Sequence, residues 1–138
     1  ALQSVKLRAK GGNIMYQKKL EKDIRCPLEY GLSVFGGKWK SRIICVLAAK
    51  ETLRYSELRK EMANITDAVL ATTLKELIAD GILVRQSYDE IPPRVEYFLT
   101  EKGKSVVPIL QSICRWSGIF YKEETDTPLS QCQRCDYR

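Results

Sequence analysis

Residues 66–100 read TDAVLATTLKELIADGILVRQSYDEIPPRVEYFLT, and the change of period inside this stretch decides the fold. Leu70, Leu74, Leu77 and Ile78 recur at helical spacing and form one apolar stripe, which predicts an amphipathic helix over 66–80. Thr66 or Asp67 caps its start and Gly81 ends it. Beyond Gly81 the period falls from 3.6 to 2. ILVRQSY and RVEYFL are expected as strands, and Asp89-Glu90-Ile91-Pro92-Pro93 between them is too long for a two-residue hairpin turn.

Upstream, Ser56 is a candidate N-cap for SELRKEM, preceded by a short extended piece from Leu53 to Tyr55. Trp39, Ile43, Val46 and Leu47 predict a helix over 38–50, and Gly36 and Gly37 separate it from a shorter helical stretch opened by Pro27. A further short helix is expected from Ile14 to Lys22. Downstream, Thr100 caps a last helix running to Glu124, in which Pro108 marks a kink or a break. The class is mainly α with a small β-ribbon (α+β). A helix-turn-helix followed by a two-stranded ribbon is the winged-helix arrangement.

The chain has 138 residues, enough for one core without disulfides or metal. Histidine is absent, which excludes Ser-His and Cys-His nucleophiles and His-ligated zinc. The longest apolar run, Ile43 to Ala49, is too short to span a bilayer. No enzymatic function, cofactor or membrane association is expected. The net charge of +6 suits a nucleic-acid partner without demonstrating one. Half of that excess comes from Lys6, Arg8 and Lys10. Residues 1–14 are expected to be a leader or expression remnant without order of its own. Residues 15–124 are expected to form the domain, and 125–138 a tail.

Three groups of side chains suit a DNA duplex. On the predicted helix 66–80, Ala68, Thr72, Lys75, Glu76 and Ala79 lie opposite the stripe, and Thr66 opens the helix. Small side chains and one cation permit close approach to a major groove, with Thr72 and Lys75 as base readers. The plainer reading is a solvated helix face. Arg85 and Arg94 flank the proline-stiffened tip, where a guanidinium suits a narrow minor groove. The plainer alternative pairs these arginines with Glu90 or Glu96. Lys38, Lys40, Arg54 and Ser56 form a phosphate-binding candidate. The two lysines stand at the positive end of a helix dipole, an arrangement tolerable beside an anion, and ordinary surface charge is the equal alternative.

At this point five motifs occur in order: Cys26-Pro27-Leu28-Glu29, Gly36-Gly37-Lys38-Trp39, Leu53-Arg54-Tyr55-Ser56-Glu57-Leu58, Pro92-Pro93-Arg94-Val95-Glu96-Tyr97 and Leu99-Thr100-Glu101-Lys102-Gly103. Together they resemble the HxlR family, bacterial winged-helix transcription regulators related to MarR, over about Cys26 to Trp116. The resemblance implies a homodimer on a palindromic operator in double-stranded DNA. It implies 66–80 as the recognition helix, 88–94 as the wing, and terminal helices near 15–35 and 101–121 as the dimer interface. Leu28, Val107, Leu110, Ile113, Cys114 and Phe120 are the expected interface residues. Apolar residues of the last helix cover more than one face, which agrees with a second apolar surface. Ala68 and Ala71 depart from relatives that carry longer polar side chains there, so few residues read bases.

Five cysteines cannot all pair within one chain, and no export signal is evident, so a reducing cytoplasm is expected. Cys26 matches a family position at which some relatives sense oxidants or electrophiles. The helix opened by Pro27, and Arg25 beside it, favour a thiolate nucleophile there. Cys45 reads as a buried small hydrophobe. Cys132 and Cys135 form a lone CxxC, read as an inert tail or a redox pair in preference to metal. Two alternatives stand beside a DNA-binding regulator: a winged-helix protein-interaction module, and a small thiol redox protein using Cys132 and Cys135.

Overall fold

The computed structural model describes residues 23–121. The leader 1–14, the helix expected at 14–22, and the tail with Cys132 and Cys135 lie outside the described residues. The chain parts into two compact units between Ser33 and Val34, inside the stretch expected as one domain.

The helix α1 (Pro27–Phe35) lies in the first unit as far as Ser33, and begins at Pro27, whose missing N–H costs nothing in a first turn. Glu29 reaches back to accept the Arg25 N–H at 2.9 Å. Val34 is the buried residue of this helix, whereas Leu28 and Leu32 are exposed.

The second unit contains α2 (Lys38–Lys50), β1 (Thr52–Arg54), α3 (Tyr55–Met62), α4 (Asp67–Ala79), β2 (Leu83–Tyr88), β3 (Arg94–Leu99) and α5 (Glu101–Ser117). Its core joins Ile43, Ile44, Val46 and Leu47 of α2 to Leu58 and Met62 of α3. Leu70, Leu74 and Leu77 of α4, with Ile82, Leu83, Tyr97 and Leu99 of the sheet region, add to it, as do Leu53, Ile65, Val106 and Leu110. The stripe read from residues 66–80 is therefore the face that α4 buries.

The ribbon has a third strand. β1 pairs antiparallel with β3, Leu53 opposite Tyr97, so the sheet order is β1-β3-β2. Three residues were too few to signal pairing from their own pattern. β2 and β3 run from Leu83 opposite Leu99 to Tyr88 opposite Arg94, leaving 89–93 as the connecting tip.

Caps explain the helix limits. Thr66 accepts the Val69 N–H at 3.2 Å and starts α4, while Asp67 is its first helical residue. Thr100 accepts the Gly103 N–H at 3.0 Å and also donates to the Gly81 carbonyl, joining the start of α5 to the end of α4. Ser56 is not a cap. α3 starts at Tyr55 with Arg54 as N-cap, two residues before the expected cap, because Glu57 at the third position accepts the Arg54 N–H at 2.8 Å. α5 runs unbroken through Pro108 but ends at Ser117, with Gly118 as C-cap, short of the expected Glu124.

Candidate nucleic-acid interface

α4 buries Leu70, Thr73, Leu74 and Leu77, which turns Ala68, Ala71, Thr72, Lys75 and Ala79 outward. Thr73 is the buried polar residue of this helix, and its hydroxyl is satisfied by the Val69 carbonyl at 2.7 Å. The outward face carries a hydroxyl, an ammonium and methyl groups, so the backbone can approach a groove floor closely.

Glu76 is a carboxylate that threatens this face, and Lys40 of α2 holds it at 3.6 Å. That contact corrects the expected role of Lys40. Its side chain is 16% exposed and faces α4, so it neutralises the helix instead of extending toward an outside phosphate.

Asp67 lies at the start of α4, where a carboxylate would repel DNA. Arg59 Nε of α3 is 2.6 Å from Asp67 Oδ1, and the Tyr55 hydroxyl donates to the same oxygen at 3.2 Å. Partial burial, and secondly this hydrogen bond, raise the Tyr55 phenol above its ordinary range. Sequence reasoning missed both Tyr55 and Arg59. No local pattern announces a contact between side chains eight and twelve residues apart on different helices.

The other residues expected at a phosphate lie at the starts of α2 and α3. α2 begins at Gly37, which has φ +84° and offers no side chain to cap the helix, and no acid occupies the first turn. That φ favours glycine even though no neighbouring atom would meet a Cβ there. Lys38 stands exposed over the Trp39 ring at 4.7 Å, and Arg42 lies over the same ring at 5.1 Å. Arg54 and Ser56 are exposed at the start of α3.

The two wing arginines differ. Arg85 is exposed on β2, where it donates to Ser87 Oγ at 3.2 Å. Arg94 is 29% exposed on its side chain, paired with Glu90 at 2.9 Å and Glu96 at 3.3 Å. The plainer expectation, an arginine paired within its own hairpin, holds for Arg94.

Cys26 is an exposed thiol just before α1. The adjacent Arg25 guanidinium is held by Asp23 at 3.0 Å, so its charge is shared with that carboxylate. Cys45 and Cys114 are half-buried, Cys45 packed against the core as expected. Among the described residues no cluster of His, Cys, Asp and Glu could hold a metal ion. No described helix is long and apolar enough to cross a membrane.

The expected interface residues of α5 divide by face. Leu110 is 7% exposed and belongs to the core, with Val107 packed against it, because they follow Val106 around the buried side of the helix. Ile113 and Phe120 are exposed, together with Ile109, Trp116 and Ile119. The Trp116 and Phe120 rings are in contact in a tilted arrangement, with centroids 5.4 Å apart and planes at 52°.

An HxlR-like helix-turn-helix family model matches residues 34–125. The chain belongs to that family. An uncharacterized HTH-type transcriptional regulator of Methanothermobacter thermautotrophicus is 46% identical over 95 residues, covering 69% of this chain and 72% of that protein. Two solved structures are similar to this HxlR-like chain. The redox regulator HypR in its oxidized form has TM-score 0.62 and 40% identity, covering 71% of this chain and 99% of that one. The reduced transcriptional regulator YodB from B. subtilis has TM-score 0.65 and 34% identity, covering 72% and 97%. The HxlR-like protein is thus a winged-helix transcriptional regulator of a DNA-binding family, and not an enzyme.

Proposed function

We propose that this regulator binds a palindromic operator as a homodimer, reading bases with Thr72 and Lys75 of α4. Thr66 and Ala68 lie at the entrance of that helix to the groove, and Lys38, Arg54, Ser56 and Arg85 contact phosphates. The observation that carries this reading is the exposed face of α4. Its side chains are short, its cation is Lys75, and the neighbouring carboxylates Glu76 and Asp67 are each paired with a cation. Homodimerisation is supported by the apolar stripe Ile109, Ile113, Trp116 and Phe120, which the described core leaves uncovered. Cys114 of α5 is a further candidate for that seam, and Leu28 of α1 is a proposed interface residue of the first unit. A two-fold dimer sets its two α4 helices on half-sites roughly 34–36 Å apart, one duplex turn.

Cys26 is the proposed signal receiver. Its exposure supports this, as does the similarity to the redox regulator HypR and to the reduced and diamide-treated forms of YodB. With a peroxide, the Cys26 thiolate attacks one oxygen and the O–O bond breaks. Sulfur loses two electrons and becomes a sulfenic acid, and the other oxygen leaves as water after protonation.

Fluorescence anisotropy on the protein's own upstream intergenic duplex tests both parts. The reduced protein is expected to bind with a steep salt dependence. Mild peroxide is expected to change affinity in the wild type and not in Cys26→Ser. Equal binding in both redox states removes the Cys26 switch and keeps the DNA reading. If no duplex is bound, and none is enriched from a random-sequence pool, the DNA reading falls.

A further inference from the structure

Residues 86–96 carry three carboxylates, Asp89, Glu90 and Glu96, against the one guanidinium of Arg94. Arg94 is engaged at both terminal nitrogens and over one face. Its Nη2 donates to Glu90 Oε2 at 2.9 Å and its Nη1 to Glu96 Oε2 at 3.3 Å. Its cross-strand partner Tyr88 lies beneath it, with the guanidinium carbon 3.9 Å from the ring centroid. Its Nε is buried. The tip beyond it is Ile91, fully exposed, followed by Pro92 and Pro93.

Register separates the two wing arginines. Side chains alternate across a strand, so Arg85 opposite Tyr97 shares the sheet face that carries the buried Leu83 and Leu99. Arg94 opposite Tyr88 shares the other face with Glu96. α4 packs against β2.

A narrow minor groove attracts a guanidinium because its negative potential is concentrated. Entry here would carry Asp89 and Glu90 toward phosphates of the same sign. It would also require Arg94 to leave two carboxylates and an aromatic face. Arg85 has no such obstacle, since its partner among the described residues is a neutral hydroxyl.

We propose that Arg94 is a positioning residue, a strut that shapes the wing without touching DNA. The acidic tip stays out of the minor groove, and Arg85 is the ribbon's phosphate contact. This rests on the DNA-reading function proposed above and refines it: base readout falls to α4 in the major groove.

The probe is a duplex enriched by the wild-type protein from a random-sequence pool, with its flanks set to A·T pairs. Dimethyl sulfate footprinting of the wild-type complex is expected to protect guanine N7 in the major groove and leave adenine N3 in the flanking minor groove reactive. In salt titrations, Arg85→Ala is expected to lower the magnitude of the log–log slope by about 0.9, the value of one phosphate contact. Arg94→Ala is expected to leave the slope unchanged while lowering the thermal midpoint. Protected adenine N3 under the wing, a slope lowered by Arg94→Ala, or an unchanged slope for Arg85→Ala each overturns the proposal. If Arg94→Ala does not fold, the wild-type footprint decides. Failure to enrich any duplex instead overturns the DNA reading, and this inference with it.

Discussion

Arg59 Nε lies 2.6 Å from Asp67 Oδ1, and this pair ties α3 to the first turn of the proposed recognition helix. Both side chains are substantially exposed, so the pair contributes only about 0.2–1 kcal/mol to stability. Its larger consequence is geometric, because the same carboxylate also accepts the Tyr55 hydroxyl. Arg59→Ala is therefore expected to weaken operator binding several-fold while shifting the urea midpoint little. Anisotropy and denaturation on the same preparation check this.

Tyr55 adds a pH dependence. Its phenol is raised in the fold, first by partial burial and then by the Asp67 hydrogen bond. A raised folded value favours the protonated form, so this contribution is complete below the ordinary phenol value near 10 and disappears as pH rises through the folded value. Stability of the wild type is expected to fall more steeply above that point than that of Tyr55→Phe. Denaturant midpoints from neutral pH into the alkaline range measure the difference.

Gly103 packs where a side chain cannot. A Cβ there would collide with the Ile82 carbonyl, and the glycine sits in the first turn of α5 where it is buried. In an open helix Gly→Ala gains about 1 kcal/mol. Here the backbone collision reverses the sign, and Gly103→Ala is expected to destabilise by about 1–3 kcal/mol in urea unfolding.

The two faces of α5 separate folding from association. Leu110→Ala removes a core side chain and is expected to cost about 2–5 kcal/mol. Ile113→Glu changes the exposed stripe and is expected to leave the melting behaviour of the protomer nearly intact while shifting the species in light scattering toward monomer. A monomeric wild type would remove the proposed dimer.

Lys75 of α4 and Lys40 of α2 give a contrasting pair of lysines. Lys75→Ala removes an exposed base-reading cation and is expected to cost about 1–3 kcal/mol of operator binding and to relax specificity at the base it reads. Lys40→Ala loses a partner of Glu76 and is expected to weaken binding by freeing that carboxylate toward the duplex, without removing a phosphate contact from the slope.

Much of this architecture is legible in the amino-acid order. The stripe of Leu70, Leu74 and Leu77 requires a helix with one buried side, and the alternation after Gly81 requires strands. Thr66 and Thr100 announce their helices because a hydroxyl at that position satisfies a first-turn N–H that has no other partner. Ser56 misled for the same reason that Thr66 succeeded. Capping residues are frequent, and at α3 the decision went to Glu57, whose carboxylate reaches back to the Arg54 N–H.

What local order determined, then, is the set of elements and the buried side of α4, since periodicity and caps act within a few residues of chain. Tertiary structure decided which charges remain available. Lys40 meets Glu76 from another helix, Asp67 is taken by Arg59 and Tyr55, and Leu110 turns inward with Val106. Arg94 lies within reach of Glu90 and Glu96 in sequence, yet the β2–β3 register sets Tyr88 beneath it and closes the pocket. A charge acts over a few ångströms of space, and the packing of distant elements determines what occupies that space.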